Sequence, residues 1–435
     1  MTRRTFSAAT AAITFKLAPK SAAQQTSTTK AAPVKMGFIG IGIRGMYLLE
    51  QFQKLPGVIP VITADVYDGH LTRAKEVTNG AIETTRDYRR VLDRKDLDAV
   101  VIATPDHWHA KMTLEAIAAG KHIYLEKPMA WSIEQNLQIV RAMEGNRKCL
   151  MVGSEGKTSA ITQKAREIVK SGVLGHVNMV RMANTRNSPE GAWVYAVAPD
   201  ASPATIDWAR FIGPAPKRDF DPKVFFRWRC WWEYSGGVAT DLFVHMLTQL
   251  HEVMDVPAPV SVVSQGGIYR WKDGRSVPDV MNSVYEYPGE FVADLYVNLG
   301  NSSGERGMLI MGSKGTLTVG MRSLTLRAEA NLPDVQRYGT AAWPDKMRAE
   351  YFESRGHSAD GRPKKALPPM PKAEEILVDR GTSHLEHFLI SVREGAPSKE
   401  NAWDGHAAAS SAHLANLAYQ QGRRLKWDWK TGLIS

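Results

Sequence analysis

Cysteine is scarce in this chain, which has only Cys149 and Cys230 among its 435 residues. Two cysteines far apart in the sequence make neither a disulfide framework nor the paired spacing of a zinc site. We interpret them as two buried thiols, with a single bridge as the alternative. The sequence therefore predicts no metal centre.

Long apolar runs are missing as well. No stretch reaches the ~20 consecutive apolar residues that a membrane-spanning helix requires, so no membrane span is expected. Hydrophobic residues make up 43% of the chain and charged residues 23%, which is typical of a globular protein with a substantial core. The length favours two domains over one.

Acidic residues are outnumbered, and the formal net charge is +10. Such an excess can attract an anionic partner. The basic residues are scattered, however, and no nucleic-acid recognition motif accompanies them. We therefore predict a solvated basic surface and no nucleic-acid partner.

Residues 1–33 have the features of an export signal. Arg3 and Arg4 precede Phe6, as in a twin-arginine signal, and a short Ala-rich stretch follows. Small residues near 21–23 suit a cleavage site, although Lys16 interrupts the apolar stretch. The prediction is export to the periplasm, and the alternative is a disordered tail on a cytoplasmic protein.

Residues 34–152 alternate short apolar runs with helical periodicity. Buried strands are predicted at 34–40, 58–64, 98–103, 122–125 and 149–152, and helices at 45–54, 71–77, 109–119 and 133–144. This alternation indicates βαβ units and a doubly wound parallel sheet. The fold class predicted for this domain is an α/β Rossmann fold.

Residues 153–435 follow a different pattern. A helix at 158–170 and a strand at 177–183 precede an irregular aromatic-rich region. Later strands at 259–265, 282–287, 291–298, 308–311 and 315–319 often alternate apolar and polar residues, as antiparallel strands with one solvated face do. Residues 320–380 are interpreted as loops, and helices are expected at 384–393 and 407–421. The prediction is an α+β domain with a large, mainly antiparallel sheet.

The segment Gly40-Ile41-Gly42-Ile43-Arg44-Gly45 has the G-x-G-x-x-G spacing between a predicted strand and a predicted helix. In this context the glycines allow a tight turn, close approach of a pyrophosphate and close helix packing. Asp65 ends the next strand, where a carboxylate binds a ribose 2′-hydroxyl and disfavours a 2′-phosphate. The expected cofactor is NAD rather than NADP, and Asp68 is a rival for the acidic position.

The loop after the 98–103 strand should lie beside the nicotinamide, because ligands of doubly wound sheets bind beyond the carboxyl ends of the strands. Thr104, Pro105 and His109 are the candidate residues there. For His109, a structural hydrogen bond at the start of a helix is an equally good interpretation.

Several segments together resemble the Gfo/Idh/MocA family of sugar and inositol dehydrogenases. They are Glu126-Lys127-Pro128, the Thr-Pro-Asp-His-Trp-His-Ala loop from Thr104, the 119–122 and 236–245 segments, and the helix that follows Gly405. The resemblance implies a catalytic Lys127, an Asp241/His245 pair, and cofactor contacts at Glu126 and Lys127. It also implies a sugar or polyol substrate and a homo-oligomer, either a dimer or a tetramer.

The implied reaction is hydride transfer between a nicotinamide and a hydroxyl or keto carbon. His245 accepts the hydroxyl proton and Lys127 polarises the oxygen. Since Asp241 and His245 are four residues apart, a helix would place them on one face, and we expect the carboxylate to orient the imidazole. The aromatic segment 225–234 either stacks on sugar rings or forms core.

Two alternatives stay open. Some relatives of this family use bound NAD for transient oxidation and cleave glycosidic bonds with no net redox change. A non-catalytic sugar-binding or sensor protein on the same fold is the other. If the protein is exported, scarce external nicotinamide favours an enzyme that keeps its cofactor and recycles it between substrates.

Overall fold

The structure, a computed structural model, describes residues 33–330, 335–364 and 371–435. The predicted export signal therefore lies almost wholly outside the described residues.

The first sheet has six parallel strands in the order β3-β2-β1-β4-β5-β6. The strands are β1 (Val34–Ile39), β2 (Val58–Ala64), β3 (Glu83–Thr85), β4 (Ala99–Ile102), β5 (His122–Leu125) and β6 (Leu150–Val152). The helices are α1 (Ile43–Phe52), α2 (Asp68–Val77), α3 (Arg89–Leu92), α4 (Asp106–Ala118) and α5 (Ile133–Met143). This order is the doubly wound Rossmann arrangement, so the predicted fold class is confirmed.

The second sheet has nine strands in the order β14-β13-β12-β11-β7-β10-β9-β8-β15. They are β7 (Val177–Arg186), β8 (Ser261–Gly267), β9 (Val280–Tyr287), β10 (Phe291–Asn298), β11 (Asn301–Gly312), β12 (Gly315–Val319), β13 (Ser323–Ala328), β14 (Glu374–Leu377) and β15 (Leu425–Lys426). The helices of this part are α6 (Ala160–Lys170), α7 (Trp208–Ile212), α8 (Pro222–Phe226), α9 (Val244–Met254), α10 (Asp345–Ser354), α11 (His384–Glu394) and α12 (Ala402–Gln421). Neighbouring strands are antiparallel except β7 and β10, which run parallel.

Helix α12 joins the two sheets. It contacts α5 beside the first sheet and α9 and β8 in the second domain. Its sequence is rich in alanine, and most of its residues are buried. Small side chains let it approach neighbours on several sides, so the two domains share one continuous core.

The prediction of loops throughout residues 320–380 is wrong. The described part of this region contains β13, β14 and α10. Leu324 on β13 and Phe352 on α10 are fully buried, and Leu326 and Ile376 pack against the core from partly buried positions, so few apolar residues anchor these elements. The surrounding prolines and charges hid that sparse pattern in the sequence. Both cysteines are buried and unpaired.

Residues 187–238, which we call the covering segment, extend from β7 across the carboxyl end of the first sheet. Backbone hydrogen bonds join Asp68 to Thr205 (3.0 Å) and Asp207 to Val66 (2.8 Å). The Trp108 indole donates to the Phe211 carbonyl at 2.9 Å. Among the described residues, no helix is long and apolar enough to cross a membrane.

Candidate active site

A cavity of about 490 Å³ lies at the carboxyl end of the first sheet, beneath the covering segment. The predicted residues in its wall are Gly40, Gly42, Ile43, Arg44, Asp65, Thr104 and Pro105. The covering segment supplies further wall residues, which include Glu190, Tyr195, Arg210, Phe211, Phe225, Phe226, Trp228 and Arg229. Both domains therefore form this cavity.

The glycine turn fits a dinucleotide. Gly40 has φ +80°, and a Cβ on Gly45 would lie 2.0 Å from the Gly40 carbonyl oxygen, so both positions require glycine. A Cβ on Gly42 would meet only His70, at 3.6 Å, which leaves this glycine open to the cavity. No side chain caps the start of α1, so its first backbone N–H groups are available to a pyrophosphate.

Asp65 lies in the cavity wall, but its carboxylate already has protein partners. Oδ2 accepts the Ile41 N–H at 2.7 Å, and Oδ1 accepts the Tyr67 N–H at 3.0 Å and lies 3.2 Å from His70. Burial alone would raise its pKa, but His70 and the two N–H groups lower the pKa overall. The rival Asp68 binds Arg86 at 2.7 Å instead and is not among the cavity-lining residues.

The 104–109 loop divides between the cavity and the interior. Thr104 and Pro105 line the cavity, and in the described chain Thr104 Oγ1 is buried without a hydrogen-bond partner, so it is available to a ligand. His109 lies behind this wall, where its ring nitrogens contact the carbonyls of Pro128 (2.7 Å) and Thr104 (2.9 Å). His109 is not among the cavity-lining residues, and these contacts favour the structural interpretation; a cofactor contact of His109 stays a prediction.

Glu126 is buried and binds Arg44 of the glycine turn. Its carboxylate accepts from Arg44 Nε at 2.6 Å, and Arg44 also pairs with Glu155. Glu126 does not line the cavity, whereas Arg44 does. A cofactor contact predicted for Glu126 would therefore pass through Arg44.

Lys127 and Asp241 form an ion pair that is almost buried. Lys127 Nζ lies 2.8 Å from Asp241 Oδ1 and 2.9 Å from the Asp241 carbonyl oxygen, and Arg229 Nε donates to the same Oδ1 at 3.1 Å. Burial would raise the pKa of Asp241, but the two cations lower it far below its usual range. Arg229 reaches the cavity wall and so connects the pair to the cavity.

His245, at the start of α9, is held by a backbone carbonyl and not by Asp241. Its Nδ1 lies 3.0 Å from the Ser154 carbonyl oxygen, so Nδ1 carries the proton and Nε2 keeps a lone pair. Desolvation by the surrounding protein, assisted by the Lys127 charge, lowers the pKa of His245 to about 4, although the residue keeps an exposed surface that a substrate can reach. The expected orientation of the imidazole by Asp241 is not seen in the described residues, where Asp241 Oδ1 pairs with Lys127 and Arg229.

Two residues that contact the candidate catalytic groups were not predicted from the sequence. They are Arg229 and Ser154. Arg229 is a cation inside an aromatic segment, stacked on Trp228 at 4.2 Å, and that unusual neighbourhood was the available signal. Ser154 acts through its carbonyl, which leaves no mark on the sequence. Within the aromatic segment, Phe225 and Tyr234 belong to a hydrophobic core cluster, and Phe225, Phe226 and Trp228 line the cavity. Stacking of these rings on a sugar stays a prediction.

These features define a two-domain protein that places a dinucleotide site beside a lysine, a carboxylate and a neutral histidine. A family model described as an oxidoreductase family with an NAD-binding Rossmann fold matches residues 34–154, and its C-terminal α/β domain matches residues 166–427. The chain belongs to this Gfo/Idh/MocA oxidoreductase family. Its cofactor is accordingly NAD.

Curated relatives match part of the chain. A glycosyl hydrolase family 109 protein of Shewanella baltica is 34% identical over 181 residues, which is 39% of this chain and 39% of that protein. An alpha-N-acetylgalactosaminidase of Shewanella oneidensis is 36% identical over 31% of this chain and 32% of its own length. The matched segment thus spans less than half of these relatives.

Solved structures share the fold over almost the whole chain. A levoglucosan dehydrogenase in complex with NADH and levoglucosan aligns with a TM-score of 0.64 and 16% identity, covering 91% of this chain and 99% of that one. An aldose-aldose oxidoreductase from Caulobacter crescentus aligns with a TM-score of 0.63 and 18% identity, covering 91% and 100%. At such identities the likeness concerns the fold.

Proposed function

We propose that this protein is an NAD-dependent oxidoreductase that acts on a hydroxyl or keto carbon of a sugar or polyol. The observation that carries the proposal is the cluster in which Lys127 and Arg229 both donate to the Asp241 carboxylate, beside a histidine that is neutral at physiological pH. An orientable cation and an unprotonated base are the two groups that alcohol oxidation requires.

The chain's own residues have separate roles in this proposal. Gly42 and the start of α1 hold the pyrophosphate, Asp65 accepts from the ribose, and Thr104 Oγ1 donates to the nicotinamide half. Bound NAD supplies the hydride acceptor in oxidation and, once reduced, the hydride donor in reduction.

Proton handling falls to the residues beside the cavity. His245 Nε2 accepts the proton of the substrate hydroxyl. Lys127 donates a hydrogen bond to the same oxygen and stabilises the negative charge that develops there. Asp241, whose carboxylate also accepts from Arg229, holds the ammonium group in place, so less side-chain freedom is lost on substrate binding.

The test begins with the purified protein. Bound nucleotide is released by denaturation and identified by mass spectrometry, with NAD as the expected result. A panel of sugars and polyols is then assayed for nicotinamide reduction and oxidation. A folded protein that neither contains nor binds a nicotinamide nucleotide would refute the proposal.

A second function, NAD-dependent glycoside hydrolysis, is favoured by the match to the glycosyl hydrolase family 109 proteins. It uses the same base and cation for a transient oxidation with no net redox change. An aryl α-N-acetylgalactosaminide separates the two functions: aglycone released without net NADH indicates hydrolysis, and sugar-dependent NADH indicates dehydrogenation.

We also propose export through a twin-arginine signal and self-association. Arg3 and Arg4 before Phe6 support export. Val263 and Val292, both partly exposed on the outer face of the second sheet, support self-association through that face. Replacing both arginines with lysine should abolish periplasmic accumulation, and light scattering should give a dimer or tetramer mass.

A further inference from the structure

Buried polar atoms without partners lie where β5 and β6 meet the start of α12. In the described chain, Tyr124 Oη, Ser154 Oγ and both Glu400 carboxyl oxygens have no hydrogen-bond partner of standard geometry. A Cβ on Gly153 would lie 3.1 Å from Tyr124 Oη and 2.9 Å from Glu126 Oε1. The reaction proposed above uses none of these unpartnered atoms, and unpartnered buried groups call for an explanation.

Glu400 is fixed between β6 and α12. Its side chain is completely buried, and its carbonyl accepts the Val152 N–H at 3.0 Å. The next residue, Asn401, caps α12, and a Cβ on Gly405 would lie 2.6 Å from the Val152 side chain. The end of β6 and the start of α12 therefore move together.

Ser154 connects this region to the base. Its hydroxyl lies close enough to the Glu400 carboxyl to oppose the rise in the pKa of that acid, and its carbonyl accepts from His245 Nδ1 at 3.0 Å. One residue thus lies between the buried acid and the imidazole. A displacement of the β6 end would change the orientation of His245.

We propose that Glu400 is a positioning residue for His245: as the neutral acid it keeps Ser154 in place, and loss of its proton displaces Ser154 and the imidazole. The inference rests on the proposed function of His245 as the base. The geometry favours the neutral form because a carboxylate at this position would be buried without a donor of good geometry.

The surrounding charges set when Glu400 loses its proton. Burial raises its pKa to about 8; the Ser154 hydroxyl and Lys157 oppose this shift, while Asp404 and Glu126 add to it. Tyr124 also faces the carboxyl. Glu400 is therefore mostly neutral at pH 7 and ionises just above it.

The groups that face His245 are different ones. Lys127, Asp241 and Glu155 surround the imidazole, and its own pKa of about 4 keeps it neutral at pH 7 and above. A change in the His245 signal near pH 8 would therefore report a neighbouring group and not the imidazole itself.

The test is ¹⁵N NMR of the histidine-labelled full-length protein from pH 6 to pH 9.5, with the His245 signal assigned by its loss in H245N. We expect the wild-type Nδ1 signal to shift with a midpoint near pH 8 and to be constant in E400Q, because glutamine mimics the neutral acid. The exposed control E394Q should keep the shift. A step that persists in E400Q, or that is absent from the wild type, would overturn the proposal.

If E400Q does not fold, S154A keeps the test decisive. It removes the hydroxyl that opposes the raised pKa, so the midpoint should move to higher pH, and an unchanged midpoint would refute the inference. These spectra need no substrate. A protein that turns over no sugar would contradict the proposed function alone. In an active protein we expect kcat of the wild type to decline above pH 8 and kcat of E400Q not to decline there.

Discussion

At the scale of single residues, the pairing of Lys127 with Asp241 is the contact most open to test. The two side chains are 11% and 14% exposed, so removing one leaves the other charge almost buried. We expect K127M to lower kcat roughly 10²- to 10³-fold, as loss of a transition-state hydrogen-bond donor does. D241N should destabilise the fold by roughly 3–5 kcal/mol, the usual effect of breaking a buried ion pair.

The double variant K127M/D241N separates these effects in a thermodynamic cycle of urea unfolding. Because it removes both partners, it should be more stable than the sum of the single changes implies. Strictly additive losses would show that the two side chains do not interact.

His245 determines the acid limit of activity. Its pKa of about 4 means that kcat/KM should decline near pH 4 and not near ~6.5, the ordinary value for histidine. The same shift affects stability: the unfolded chain binds this proton below about pH 6.5, the folded chain only near pH 4, so stability falls as pH decreases through that window. A pH–rate profile and urea titrations of the wild type and H245N measure both effects, with H176N as an exposed control.

At the scale of elements, two glycines of the G-x-G-x-x-G loop have different roles: Gly45 allows helix packing, and Gly42 leaves room for the cofactor. Gly45 packs against the Gly40 carbonyl, so G45A should displace α1 and lower the melting temperature. Gly42 has no protein atom within 3.4 Å of its Cβ position, so G42A should fold normally but bind NAD more weakly. Calorimetry on both variants separates these outcomes, and equal melting temperatures would contradict the assignment.

Elements with a continuous apolar pattern were predictable, and contacts between elements were not. The strands at Val58–Ala64, His122–Leu125 and Phe291–Asn298 agree with the sequence to the residue, because each is a short segment dominated by apolar residues. The surroundings of His109 were not predictable from its motif, since residue spacing does not show which carbonyls an imidazole ring will contact. The contact of Arg229 with Asp241 was not predictable either, because tertiary packing brings the two side chains together.

At the scale of the whole molecule, the covering segment decides how the cofactor enters and leaves. It forms one side of the cavity and bonds to the first domain through residues on both sides of Tyr67. We expect release of NAD to require these contacts to open, so NAD should survive desalting and dissociate slowly. Such retention suits an enzyme that recycles one cofactor between two substrates.

Asp207 is the residue through which this retention can be tested. Its carboxylate caps α7 by accepting the Arg210 N–H at 3.1 Å, and it also binds the Arg210 guanidinium, whose side chain lines the cavity. D207A should therefore loosen the covering segment and raise the NAD dissociation rate several-fold, while D219A, an exposed change in the same segment, should not. The rate is measured by trapping released NAD after dilution, and equal rates in D207A and the wild type would show that dissociation does not require the segment to open.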